Sequence, residues 1–155
     1  MENAPRLTYI TTASFPAAKA SSVQVMQMCA AFAEAGALVK LVAPQSNTGA
    51  DVFAHYGLAP TFKLELAQWT KWPRPSDVFQ IQAAFAEPGS DWICYARGRD
   101  LTAPTVALLR GARAVLEVHG LPATARERVM LKWIARQARA RVVTISEPLK
   151  EHYRR

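Results

Sequence analysis

Six short apolar runs, separated by stretches with helical or turn patterning, constrain this chain more than any single residue does. The runs fall at residues 7–11, 38–43, 62–66, 92–96, 114–118 and 142–145, and most are short, apolar and β-branched. Strands buried on both faces read this way, because helices cover both sides of a parallel sheet. Helical patterns occupy residues 22–35, 77–85, 102–109 and 125–138. Alternation of the two predicts an α/β domain, a three-layer Rossmann-like fold around a parallel sheet of about six or more strands. At 155 residues the chain has the length of a single domain with one core.

The first helix carries the most local information. Ser21 and Gln24 match the Ser-x-x-Gln capping signature, which satisfies two orphan amide donors. Val25, Met28, Cys29 and Phe32 follow at helical spacing on one face, and Gly36 supplies the stop. Strand, helix and second strand then predict a right-handed crossover. Residues 68–76 differ in kind: two prolines, Trp69 and Trp72 beside Lys71 and Arg74 predict a stiff surface loop, packed back on the sheet or resting at a membrane interface.

Charge and cysteine content narrow the class. Cys29 and Cys94 are the only cysteines, each inside an apolar run, so buried free thiols are expected rather than a disulfide framework. No stretch approaches the length of a membrane span, and the N-terminus lacks signal-peptide character, so a cytoplasmic protein is expected. The formal net charge of +7 concentrates from Arg97 onward. Arg128, Lys132, Arg136 and Arg139 form a basic stripe opposite Val129, Met130, Trp133 and Ile134, expected to be buried. That stripe is either a solvated face or a docking surface for anionic phospholipid, at the inner face of the membrane. Nucleic acid is not the expected partner, since no helix-turn-helix, RRM or KH signature accompanies the charge.

Parallel sheets bind ligands at the carboxyl ends of their strands, where strand order reverses. With the order 3-2-1-4-5-6, residues 12–22, 97–100, 119–124 and, more distantly, 146–147 reach that crevice. The first of these loops lacks a glycine, so neither a G-x-G-x-x-G turn nor a Walker A loop is present. It does lead into a helix N-terminus, with Ser14, Phe15, Lys19, Ser21 and Ser22 as candidate ligand contacts. Its length exceeds that of an ordinary βα connection. His119 follows the fifth strand directly, on the same side as Glu117 by period-2 geometry, and Gly120 permits a sharp turn after it. Such a histidine hydrogen-bonds a sugar hydroxyl or accepts a proton, or else merely closes the loop. Arg97, Arg99 and Asp100 end the fourth strand, placed for phosphate or for a helix-start salt bridge. The three histidines, His55, His119 and His152, are far apart with no clustered carboxylates or cysteines, and no metal centre is expected. No Gly-x-Ser-x-Gly elbow occurs, and Cys29 is a poor nucleophile in mid-helix.

Three segments carry a family resemblance. They are Tyr9-Ile10-Thr11 through Phe15-Pro16 and Ala20-Ser21-Ser22-Val23-Gln24-Val25-Met26; Tyr95-Ala96-Arg97 with Leu116-Glu117-Val118-His119-Gly120; and Val142-Val143-Thr144-Ile145-Ser146-Glu147-Pro148-Leu149. In this order they resemble the N-terminal domain of retaining GT-B glycosyltransferases, the group called family 4 or group 1. The resemblance implies transfer of a sugar from a nucleotide-sugar donor to a sugar or lipid-linked acceptor, with anomeric configuration retained. It implies that His119 faces the reacting sugar as the catalytic residue. Arg97 and the loop with Ser14, Lys19, Ser21 and Ser22 would line the acceptor side, with Glu117, Gly120 and Ser146 nearby. No cofactor or metal is implied, because the nucleotide-sugar is a substrate held mainly by a C-terminal domain. That domain has no counterpart in these residues, so the chain is expected to be an acceptor-side half with little transferase activity alone. Where many relatives carry a glycine pair in the first loop, Ala17 and Ala18 stand here, which weakens the implied diphosphate contact. A non-catalytic basic α/β binding module is the alternative. A flavodoxin-like signalling domain fits less well, since no acidic cluster follows the first strand.

Overall fold

The computed structural model describes residues 4–46, 50–67 and 75–154. Among them, β1 (Arg6–Ile10), β2 (Leu38–Pro44), β3 (Lys63–Ala67), β4 (Ile93–Arg97), β5 (Arg113–Val118) and β6 (Ala140–Thr144) form one sheet. Every pairing is parallel, in the order β3-β2-β1-β4-β5-β6. Helices α1 (Ala20–Glu34), α2 (Val52–His55), α3 (Pro75–Phe85), α4 (Thr102–Leu109), α5 (Ala125–Ala135) and α6 (Glu147–Arg154) connect and flank the strands. The α/β class and the Rossmann-like layering expected from the alternation are therefore present.

Period-2 alternation sorts the strand side chains between two faces. Leu7 and Tyr9 of β1 join Val39, Leu41 and Tyr95 under Val25, Met26 and Cys29 of α1. Ile10, Val42, Cys94 and Ala114 point the other way, against Phe79, Ala83 and Ala84 of α3 and Ala103 and Ala107 of α4. Ala96, Leu116 and Val118 continue that second face beneath Leu131 and Ile134 of α5. Alanines at these contacts let the helices approach the sheet closely. Arg110 then closes the end of α3, donating from Nη1 to the carbonyls of Ala84 at 2.6 Å and Glu87 at 2.9 Å.

Several local expectations are corrected. The first helix begins at Ala20, not Ser22, and no side chain caps it: Ser21 and Gln24 lie within its first turns, and Gln24 bonds elsewhere. The working capping signature is Thr124-x-x-Glu127 on α5. There Thr124 Oγ1 accepts from Glu127 N at 3.1 Å, and Glu127 Oε2 accepts from Ala123 N at 2.7 Å. Helix α5 ends at Ala135, because residues 136–139 turn the chain into β6, whose buried Ala140 pairs with Ala114. On its expected buried side Val129 is 67% exposed, and Leu131 takes that place in the core. On α1 the most deeply buried residues are Ser22, Val25, Met26, Cys29 and Ala30, with Met28 and Phe32 only partly covered. Helix α2 lies outside the expected helical segments; Asp51 caps it by accepting from Ala54 N at 3.2 Å. The Trp69–Trp72 part of the expected surface loop lies outside the described residues. Among those described, no helix is long and apolar enough to cross a membrane.

Candidate functional site

Strand order reverses at β1, which is hydrogen-bonded to both β2 and β4. Chain leaving β1 and chain leaving β4 therefore diverge, and a cleft of about 470 Å3 opens between them. Its walls include Thr12, Ser14, Lys19, Ser21 and Ser22 from the first loop and helix start, and Arg97, Gly98, Arg99, Asp100 and His119 from the opposite side. The loop and the histidine, more than a hundred residues apart in sequence, thus face one another.

The first loop is long because it extends the sheet rather than merely connecting elements. Thr11 N donates to Val42 O at 3.2 Å, Phe15 N to Pro44 O at 3.1 Å, and Ser46 N to Phe15 O at 2.9 Å, so the segment runs beside the end of β2. Phe15 is fully buried, edge-on to Tyr56, with a cis peptide bond to Pro16. Its ring anchors the loop in the core and does not line the cleft. The Tyr56 hydroxyl clamps the next turn, accepting from Ala17 N and donating to Ala17 O, both at 2.8 Å. From the other side Asp100 accepts from Thr12 N at 3.1 Å and from Thr12 Oγ1 at 2.7 Å. Burial, the largest influence, raises the Asp100 pKa, and the Thr12 hydrogen bonds pull the other way.

A chain of polar contacts crosses from β5 to α1. The register places Arg97 opposite Glu117, with Tyr95 two residues back on the same face. Glu117, only 5% exposed, accepts from Tyr95 Oη at 2.7 Å, and its Oε1 lies 2.5 Å from His119 Nε2. Arg97 Nε lies 2.7 Å from the same His119 nitrogen, and Arg97 Nη2 donates to Gln24 Oε1 at 2.6 Å. One ring nitrogen cannot serve both neighbours. With its proton on Nδ1, His119 accepts from Arg97 at Nε2; with its proton on Nε2, it donates to Glu117. In the second state Arg97 still has the carboxylate within 3.6 Å. Burial and then the bond to Glu117 push the Tyr95 phenol far above its ordinary value, so it remains a donor.

Of the other sequence candidates, Arg99 borders the cleft, while Gly120 and Ser146 do not line it. Arg99 forms a helix-start salt bridge: Nη2 lies 2.6 Å from Glu127 Oε1 on α5. Gly120 borders a neighbouring apolar pocket, and its carbonyl accepts from Tyr153 Oη at 2.9 Å. The left-handed turn beside the site belongs to Gly98, at φ +65°, rather than to Gly120. Ser146 is exposed beyond β6 and its carbonyl starts α6 by accepting from Lys150 N at 3.1 Å. With β6 two strands from β4, that displacement is about 10 Å. Sequence reasoning missed the site roles of Gln24, Tyr56 and Tyr95. Only Tyr95 had a readable signal, its i, i+2 spacing to Arg97 on a strand.

No protein-family profile matches the chain, and comparison with curated proteins returns no match.

Proposed function

We propose that this chain is the acceptor-side domain of a glycosyltransferase that moves a sugar from a nucleotide-sugar donor with retention of configuration. The observation carrying this reading is the convergence of His119, Arg97 and the first loop on one cleft at the strand-order reversal. A sugar acceptor is dense in hydroxyls, and the cleft offers hydroxyls at Ser14, Ser21 and Ser22, cations at Lys19 and Arg97, and the imidazole of His119. In the proposed reaction His119 hydrogen-bonds the reacting sugar as charge develops, and Glu117 behind it stabilises the ring when it gains a proton. Arg97, anchored to Gln24, is a positioning residue for the histidine and a cation for any phosphate on the acceptor.

The test uses the intact gene product with a panel of nucleotide-sugars, reading both hydrolysis and transfer. His119→Ala is expected to lower turnover by about 100-fold, as for loss of a positioned acid–base group. A His119→Ala protein that transfers sugar at the full rate would remove this residue from the site. A second reading, a non-catalytic basic binding module, is favoured by a separate feature: Arg128, Lys132 and Arg136, which pair with no carboxylate among the described residues.

A further inference from the structure

Helix α5 carries its charges in two different states. Toward α3 and the end of β4, Arg126 lies 3.2 Å from Asp77, and Glu127 lies 2.6 Å from Arg99. On the far side Arg128, Lys132 and Arg136 repeat at every fourth residue, and among the described residues none of the three pairs with a carboxylate. They rim a groove of about 1020 Å3 between α5, β6 and α6, over Leu131, Val142 and Val143. Val143 is 46% exposed although it sits on a strand. Neutralised charges on one side and unneutralised ones on the other are not what a uniformly solvated helix presents.

We infer that this face docks on an anionic phospholipid surface. The row of three cations spans about 12 Å of helix, enough to meet adjacent headgroup phosphates. Apolar side chains between and beneath them, including Val143, contact the glycerol–acyl boundary. An added acidic β-strand fits the open β6 edge less well. Arg141 Nη1 already donates to the Ala140 carbonyl at 2.8 Å and lies 3.3 Å from that of Ala138, which blunts that edge. A small apolar pocket shares His119 with the cleft and Tyr153 with the groove, so docking brings the cleft close to the lipid. The inference concerns binding and stands whether or not the cleft transfers sugar.

The experiment is co-sedimentation of the full chain with phosphatidylcholine vesicles, with and without phosphatidylglycerol, at low and high salt. Pelleting is expected only with phosphatidylglycerol and is expected to weaken with salt. Joint Arg128→Gln, Lys132→Gln and Arg136→Gln should weaken it on the order of a hundredfold, at about fivefold per cation. Lys63→Gln with Arg113→Gln, both on exposed side chains away from the groove, should leave it unchanged. Circular dichroism checks that each variant is folded. Equal pelleting without anionic lipid, or a triple variant that binds like wild type, would overturn the inference.

Discussion

Glu117 Oε1 lies 2.5 Å from His119 Nε2, joining two residues that share one side of the β5 end. The same carboxylate accepts from the Tyr95 hydroxyl, and both Glu117 and Tyr95 are buried. Removing the acceptor strands a buried donor, which costs about 1–3 kcal/mol, before any loss of charge pairing. Glu117→Ala is therefore expected to lower unfolding free energy by roughly 2–4 kcal/mol. Glu117→Gln should cost less, because its amide oxygen still accepts from Tyr95. Urea denaturation measures both, and equal losses would contradict this account of the carboxylate.

Asp100 gives a pH dependence with a definite sign. Burial raises its pKa above the ordinary 3.8, so the folded state holds that proton more tightly than the unfolded chain does. The stabilisation from this group is complete below 3.8 and is lost as pH rises through the folded value. Asp100→Asn keeps an acceptor for Thr12 but cannot ionise. The stability of wild type relative to Asp100→Asn should accordingly be more favourable near pH 4 than near pH 7. A difference that is constant, or that grows with pH, would reverse the assignment.

Gly98 isolates a backbone effect. Its φ is +65°, and a Cβ built there would meet nothing within 4 Å. Gly98→Ala therefore pays for left-handed geometry alone, about 1–2 kcal/mol. Thermal or urea unfolding reads this directly. A neutral substitution would mean that the turn relaxes at the expense of the 2.7 Å hydrogen bond from Gly98 N to Glu117 O.

Much of this architecture was legible in the sequence because it rests on periodicity. Alternating apolar runs fixed the strands to within one or two residues, and the expected sheet order placed the loops at 12–22 and 97–100 on a common crevice. What the sequence could not supply was competition between equivalent local signals. Ser21-x-x-Gln24 and Thr124-x-x-Glu127 present the same capping pattern, yet only the second caps: α1 begins at Ala20, ahead of Ser21, and Gln24 is held by Arg97 on the same face of the sheet. Phe15 sits in a loop of small residues and reads as a ligand contact, but an apolar ring finds its lowest energy under α1 and beside Tyr56. Ser146 reads as a strand-end group, and only the count of strands between β6 and β1 removes it from the cleft.

The two cysteines should be inert in the folded chain. Burial pushes both thiols well above their ordinary value, Cys29 between α1 and the sheet and Cys94 within β4. The thiolate is the reactive form, so both reactivity and access are suppressed together. Ellman's reagent is expected to label neither thiol under native conditions and both after denaturation. Prompt labelling of the native protein would show that the α1 face opens.

Tyr56 holds the first loop through two hydrogen bonds at one residue, accepting from Ala17 N and donating to Ala17 O. Its ring also packs edge-on to Phe15, so packing and hydrogen bonding locate the same turn from one side while Asp100 locates Thr12 from the other. Tyr56→Phe preserves the ring contact and deletes only the hydroxyl. The expected loss of global stability is about 1 kcal/mol, typical of a neutral hydrogen bond with partners near solvent. The local effect should be larger than the global one, since Ala17 loses both its donor and its acceptor together. Hydrogen exchange at Ala17 is expected to accelerate, while amides in α4 and β5, which do not touch this loop, keep their protection. If sugar binds the cleft, Tyr56→Phe should weaken it without altering any residue in contact with ligand, because the loop must then be ordered on binding. Faster exchange spread evenly over the whole sheet would instead assign Tyr56 to general stability and leave the loop's order to Phe15 and Asp100.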